Sequence, residues 1–105
     1  VAEFIYVIRA TRLGMLTEGP TPEETATVGA HFGYLKAATE AGRVILVGRT
    51  LNSDEETFGI CVFNAESPEE AREFMEADPA VKSGVMTAQV FPYRIALFGP
   101  ENVAQ

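Results

Sequence analysis

Four stretches of the chain carry apolar side chains at most positions, with β-branched and aromatic residues in excess: EFIYVIRA (3–10), RVILVGRTL (43–51), TFGICVFNA (57–65) and TAQVFPYRIALF (87–98). Such residues favour a pleated backbone whose side chains alternate between two faces, and the runs predict four strands. Between them, apolar positions recur at three- and four-residue spacing from Pro22 to about Ala41 and from Pro68 to about Ala77, the period of a helix with one buried side. Both helix starts are well marked. Thr21-Pro22-Glu23-Glu24 and Ser67-Pro68-Glu69-Glu70 each offer a hydroxyl to the amide three residues on, a proline at the first helical position and a glutamate that can reach back. Gly42 supplies a stop for the first helix and Pro79 for the second. The longest irregular stretch is TRLGMLTEG (11–19).

Strand, helix, strand, strand, helix, strand is the ferredoxin-like split βαβ order, an α+β domain with both helices on one face of an antiparallel sheet. The strands are apolar at both parities: Phe4, Tyr6 and Ile8 alternate with Ile5 and Val7, and Ile60 and Val62 with Cys61 and Phe63. Two helices cover one face only. The other is expected to meet a second copy of the chain, giving a homodimer with a barrel-like core, a dimeric α+β barrel. Edge loops or the tail FGPENVAQ (98–105) are the alternative cover.

At 105 residues and 47% hydrophobic content, the chain has material for one domain with one core. Fifteen acidic against eight basic residues leave a net charge of -7, which disfavours nucleic acid and anionic lipid as partners. No apolar run has membrane-spanning length and no basic-then-apolar leader is present, so the expected setting is cytoplasmic. Cys61 stands alone, which fits a reducing compartment, and its mid-strand position between apolar neighbours reads as an inert thiol. With one histidine and one cysteine no metal site is expected, and neither LVGRT (46–50) nor TRLG (11–14) has the Gly-rich spacing of a phosphate loop, so no cofactor is expected.

The single histidine, His31, falls in VGAHFGYLKA (28–37). A stripe of Val28, Phe32, Leu35 and Thr39 is expected to face the sheet, with His31 on its flank. Gly29 and Gly33 beside it weaken the helix and leave bare backbone there. Position alone leaves two readings open: a core-edge histidine bonded to a backbone carbonyl, or a catalytic base. In REFMEADPAVKSG (72–84), Asp78 lies seven residues after Ala71 and shares its inward stripe with Phe74 and Met75. An inward carboxylate at a helix C-terminus needs a cation or a strong donor, although Asp-Pro also serves simply as a turn. Because the two helices of a split βαβ unit run antiparallel, His31 and Asp78 are expected to share a cleft, where a carboxylate would orient the imidazole as a general base. Arg9 and Arg49 end their strands at the same odd parity, after Ile5-Val7 and Ile45-Val47. They are expected on one face, either as substrate-binding cations for a carboxylate or phenolate or as ordinary solvated strand ends.

Taken together, HFGYLKAATEAGRVILVG (31–48), SPEEAREFMEADPAVKSGV (67–85) and VFPY (90–93) resemble the YCII-like family of small dimeric α+β barrel proteins. The resemblance implies an enzyme of a family with few assigned reactions, some in the breakdown of chlorinated aromatics, and an active site formed by His31 and Asp78. Where many relatives have Gly-Pro after the second strand, this chain has Gly48-Arg49. The expected function is cofactor-independent proton transfer by a His-Asp dyad on a small, hydroxylated or halogenated aromatic substrate, as in an elimination or isomerisation. The alternative is a non-catalytic module that binds a metabolite in the same pocket. No separate nucleophile is visible, which favours proton transfer over acyl or phosphoryl transfer.

Overall fold

The computed structural model describes residues 1–104. Its elements are β1 (Ala2–Ala10), α1 (Gly14–Thr17), α2 (Pro22–Glu40), β2 (Val44–Arg49), β3 (Gly59–Ala65), α3 (Pro68–Glu76), α4 (Pro79–Lys82) and β4 (Met86–Tyr93), followed by a 3-10 turn at Pro100–Asn102. The strands form one antiparallel sheet in the order β2-β3-β1-β4. This is the ferredoxin-like α+β arrangement expected from the element order.

The caps form much as the side chains dictate. Thr21 accepts the Glu24 amide and Glu24 accepts the Thr21 amide, closing a full capping box. Ser67 accepts the Glu70 amide, but the Glu70 carboxylate turns to the Glu66 amide and to Arg43 instead of reaching back to Ser67. Three elements differ from expectation. Part of the irregular 11–19 stretch winds into α1, held by the Gly14–Glu18 backbone bond. Pro79 ends α3 and also begins α4, since proline suits the first position of a helix as well as the stop of one. β4 ends at Tyr93, beyond which the Ile95 amide donates to the Glu3 carboxylate.

The core lies between the helices and the sheet. Phe4, Tyr6 and Phe63 point up from β1 and β3 to meet Leu35 of α2 and Ala71, Phe74 and Met75 of α3. The Phe63 and Phe74 rings are 4.7 Å apart, and Tyr34 stacks on Phe74 at 5.2 Å. On α2 the buried stripe runs through His31 and Leu35, while Phe32 is 66% exposed and Thr39 is also exposed. Of the expected stripe, Leu35 is buried and Val28 half-buried, while His31 and Ala38 take the inward places expected of Phe32 and Thr39. The buried partner of His31 draws the imidazole inward, and Phe32 turns to the rim.

In an antiparallel pair, directly opposed residues share a face. Val44 opposes Phe63 on the helix side, but Leu46 opposes Val62, because Ile45 is inserted as a bulge. From there the parity of β2 is reversed, so Arg49 lies opposite Gly59 on the helix side. Arg9, next to inward Ile8 and opposite Thr87, lies on the other side. The two arginines are thus on different faces, a correction whose cause is the bulge. The face away from the helices carries Ile5, Val7, Leu46, Ile60, Val62, Phe91 and Tyr93, with Phe91 45% and Tyr93 44% exposed. Val62 is buried there, while Leu97, Phe98 and Val103 of the tail are mostly exposed. Gln105 lies outside the described residues.

Candidate active site

Asp78 has no exposed surface. It stands at a joint: its amide donates to Met75 O at the end of α3, and its carbonyl accepts the Val81 and Lys82 amides of α4. Its side chain also caps α4, with Oδ1 accepting the Ala80 amide at 3.0 Å. The sequence placed this carboxylate at the unfavourable end of one helix. The structure adds the start of another, which supplies a donor for it.

α2 packs against α4 and brings His31 to the same carboxylate. Nδ1 lies 2.8 Å from Oδ1 and 2.7 Å from Oδ2. From below, Tyr6 of β1 donates its hydroxyl to Oδ2 at 2.7 Å. The Ala80 amide can only donate, so the network is satisfied when the carboxylate accepts all three contacts and His31 carries a proton on Nδ1. Among the described residues Nε2 meets no hydrogen-bond partner, yet no buried side-chain nitrogen or oxygen lacks one. Nε2 is therefore open to a neighbouring cavity. Tyr6 is the residue that sequence reasoning missed. The available signal was its place between inward Phe4 and Ile8, since a buried phenol needs an acceptor.

The cavity beside His31 has a volume of about 370 Å³. Its walls are mostly apolar, with Ile8, Met15, Val28, Phe32 and Phe58 among them, and Arg9, Arg49 and Thr57 supply polar edges. It takes in residues from both sheet faces because it sits at the end of the strands. Arg9 lies over the Phe58 ring at 5.3 Å and makes a long contact of 3.5 Å from Nη1 to Thr57 O. Among the described residues the Arg49 side chain bonds only to the neighbouring Thr50 carbonyl, through Nε. Thr57 is held by its own bonds to Asn52 and Asp54, which shape the β2–β3 loop.

The remaining candidates lie outside this chemistry. Burial, with Asp78 nearby, pushes the Cys61 thiol up to about 12, so it stays protonated near neutrality. Among the described residues, no three His, Cys, Asp or Glu side chains come together as a metal site.

The YCII-related domain model matches residues 6–94. The chain belongs to the YCII-related family. The matched span of this YCII-related protein runs from Tyr6 to just beyond β4, so it includes His31, Asp78 and the cavity. No curated protein matches it. Eight solved chains do. One is 5-chloro-2-hydroxyhydroquinone dehydrochlorinase from Burkholderia phenoliruptrix AC1100, in complex with 2,5-dihydroxybenzoquinone. It is 24% identical, with a TM-score of 0.63, over 87% of this chain and 93% of that one. That likeness establishes a shared fold for the YCII-related chain.

Proposed function

We propose that this protein is a small cofactor-independent enzyme in which His31, oriented by Asp78, moves a proton on a small hydroxylated or halogenated aromatic substrate. The observation that carries this reading is the buried His31–Asp78 pair whose free Nε2 opens onto an apolar cavity. Nε2 takes a proton from a ring hydroxyl or an activated C–H. In an elimination, the electron pair set free expels a leaving group such as halide. In an isomerisation it recaptures a proton at another atom. Asp78 stabilises the imidazolium formed in between. Apolar walls suit a flat ring, and Arg9 and Arg49 at the edges suit its anionic oxygen. The dehydrochlorination named for the structural relative is chemistry of this type.

The homodimer belongs to the same proposal, supported by the exposed apolar residues on the sheet face away from the helices. No described helix is long and apolar enough to cross a membrane. The buried free thiol of Cys61 favours a reducing cytoplasm.

The test is a panel of hydroxylated and halogenated aromatics, measured for turnover and for thermal stabilisation. At least one is expected to be converted, and His31→Gln is expected to lower its rate about 100-fold or more while the fold and ligand stabilisation persist. If several compounds stabilise the wild type and none is converted, the cavity is a binding site only. An unchanged rate in a folded His31→Gln protein would also overturn the assignment.

A further inference from the structure

Tyr6 is fully buried on the helix side of β1, and its ring is held by Phe63 at 5.7 Å and Phe74 at 6.1 Å. Its hydroxyl shares Asp78 Oδ2 with His31 Nδ1, both at 2.7 Å, while the Ala80 amide takes Oδ1. Burial, and then the neighbouring Cys61 and Asp78, push the phenol far above the usual tyrosine range, so it keeps its proton and acts as a donor. Tyr34 shows what a tyrosine does here without such a role: its hydroxyl donates to the backbone carbonyl of Phe74 at 2.7 Å.

We propose that Tyr6 is a positioning residue: its hydroxyl holds Asp78 as a proton acceptor, keeping the proton of neutral His31 on Nδ1 and leaving Nε2 bare toward the cavity. Without that hydroxyl, Oδ2 loses a donor in a place with no solvent to replace it. The carboxylate then draws the Nδ1 proton toward itself, and Nε2 takes up one from water in the cavity, so that the pair holds one proton more. The site is left with its base already occupied. The catalytic consequence rests on the function proposed above, but the tautomer is a property of the ligand-free protein and can be read without any substrate.

His31 is the only histidine, so nitrogen-15 labelling of histidine gives a single pair of ring-nitrogen resonances. In the wild type with the ring neutral, Nδ1 is expected to read as protonated and Nε2 as bare. Tyr6→Phe should convert roughly a tenth or more of the population to the Nε2–H form. It should also lower kcat for any substrate found by about tenfold, with KM within about twofold. Tyr34→Phe, which removes a different phenol hydroxyl, should change neither. A folded Tyr6→Phe protein with the wild-type nitrogen pattern overturns the proposal. If Tyr6→Phe does not fold, 3-fluorotyrosine incorporated into a Tyr34→Phe, Tyr93→Phe protein labels Tyr6 alone. Its more acidic phenol should move the His31 Nδ1 proton resonance, and an unmoved resonance overturns the proposal. A shifted tautomer with no turnover on any compound supports the role of Tyr6 and counts only against the enzyme reading.

Discussion

A carboxylate with no exposed surface has to be satisfied from within, and Asp78 takes its donors from β1, α2 and α4. Its removal therefore affects all three. Asp78→Ala leaves the Tyr6 hydroxyl and the His31 Nδ1 without their acceptor, and should cost about 3 kcal/mol, read as a lower urea midpoint at unchanged slope. Asp78→Asn keeps the volume but turns an amide toward one of the donors, and should cost about half as much. Wild-type stability in Asp78→Ala would mean that the site rearranges at no cost. The meeting of His31 and Asp78 could be anticipated, because inward periodicity and antiparallel helices are both visible in the residues. Tyr6 was hidden for a physical reason. Tyrosine fits an apolar strand as well as it fits a polar site, and nothing local to β1 reveals an acceptor 72 residues away.

The helix starts were legible because their chemistry is confined to three or four neighbouring residues. Even there one partner came from afar. Arg12 donates to both oxygens of Glu24, at 2.9 and 2.7 Å, and to Gly19 O, tying the α1 segment to the start of α2. The bonds from Arg12, with those from Thr21, pull the Glu24 carboxyl down to about 2 from an ordinary value of 4.5. A depressed carboxyl contributes stability that is fully present above its unfolded value and lost as the pH falls toward its folded one. The difference in melting temperature between wild type and Glu24→Gln should accordingly be flat at neutral pH and shrink between 4.5 and 2. A difference that stays constant across that window would show that the pair adds nothing through charge. The bulge at Ile45 had no such signature. In VILV either parity buries an apolar side chain, so alternation cannot report the slip, and the face of Arg49 followed from the slip.

For the molecule as a whole, both-sided apolar strands predicted a sheet with one face left over, and Leu46, Phe91 and Tyr93 lie partly exposed there. If a second copy covers them, the protein should sediment at twice 11.4 kDa at micromolar concentration. Phe91→Glu, opposite Ile5 on that face, should return it to monomer and lower its melting temperature. A wild-type monomer would dismiss the assembly and leave the fold intact. The tail could not be judged beforehand, since its apolar residues are isolated among polar and turn-forming ones.

The cavity lies at the sheet's end, with His31 and Arg49 belonging to the helix side and Arg9 and Phe58 to the other. A second copy packed on the face away from the helices would therefore border the cavity. With a second copy on that face and a ligand in the cavity, as proposed above, occupancy and assembly would be two ends of one thermodynamic cycle, each changing the other's equilibrium constant by the same factor. For such a protein an affinity quoted without the protein concentration is incomplete, because dilution alone would alter the pocket being measured.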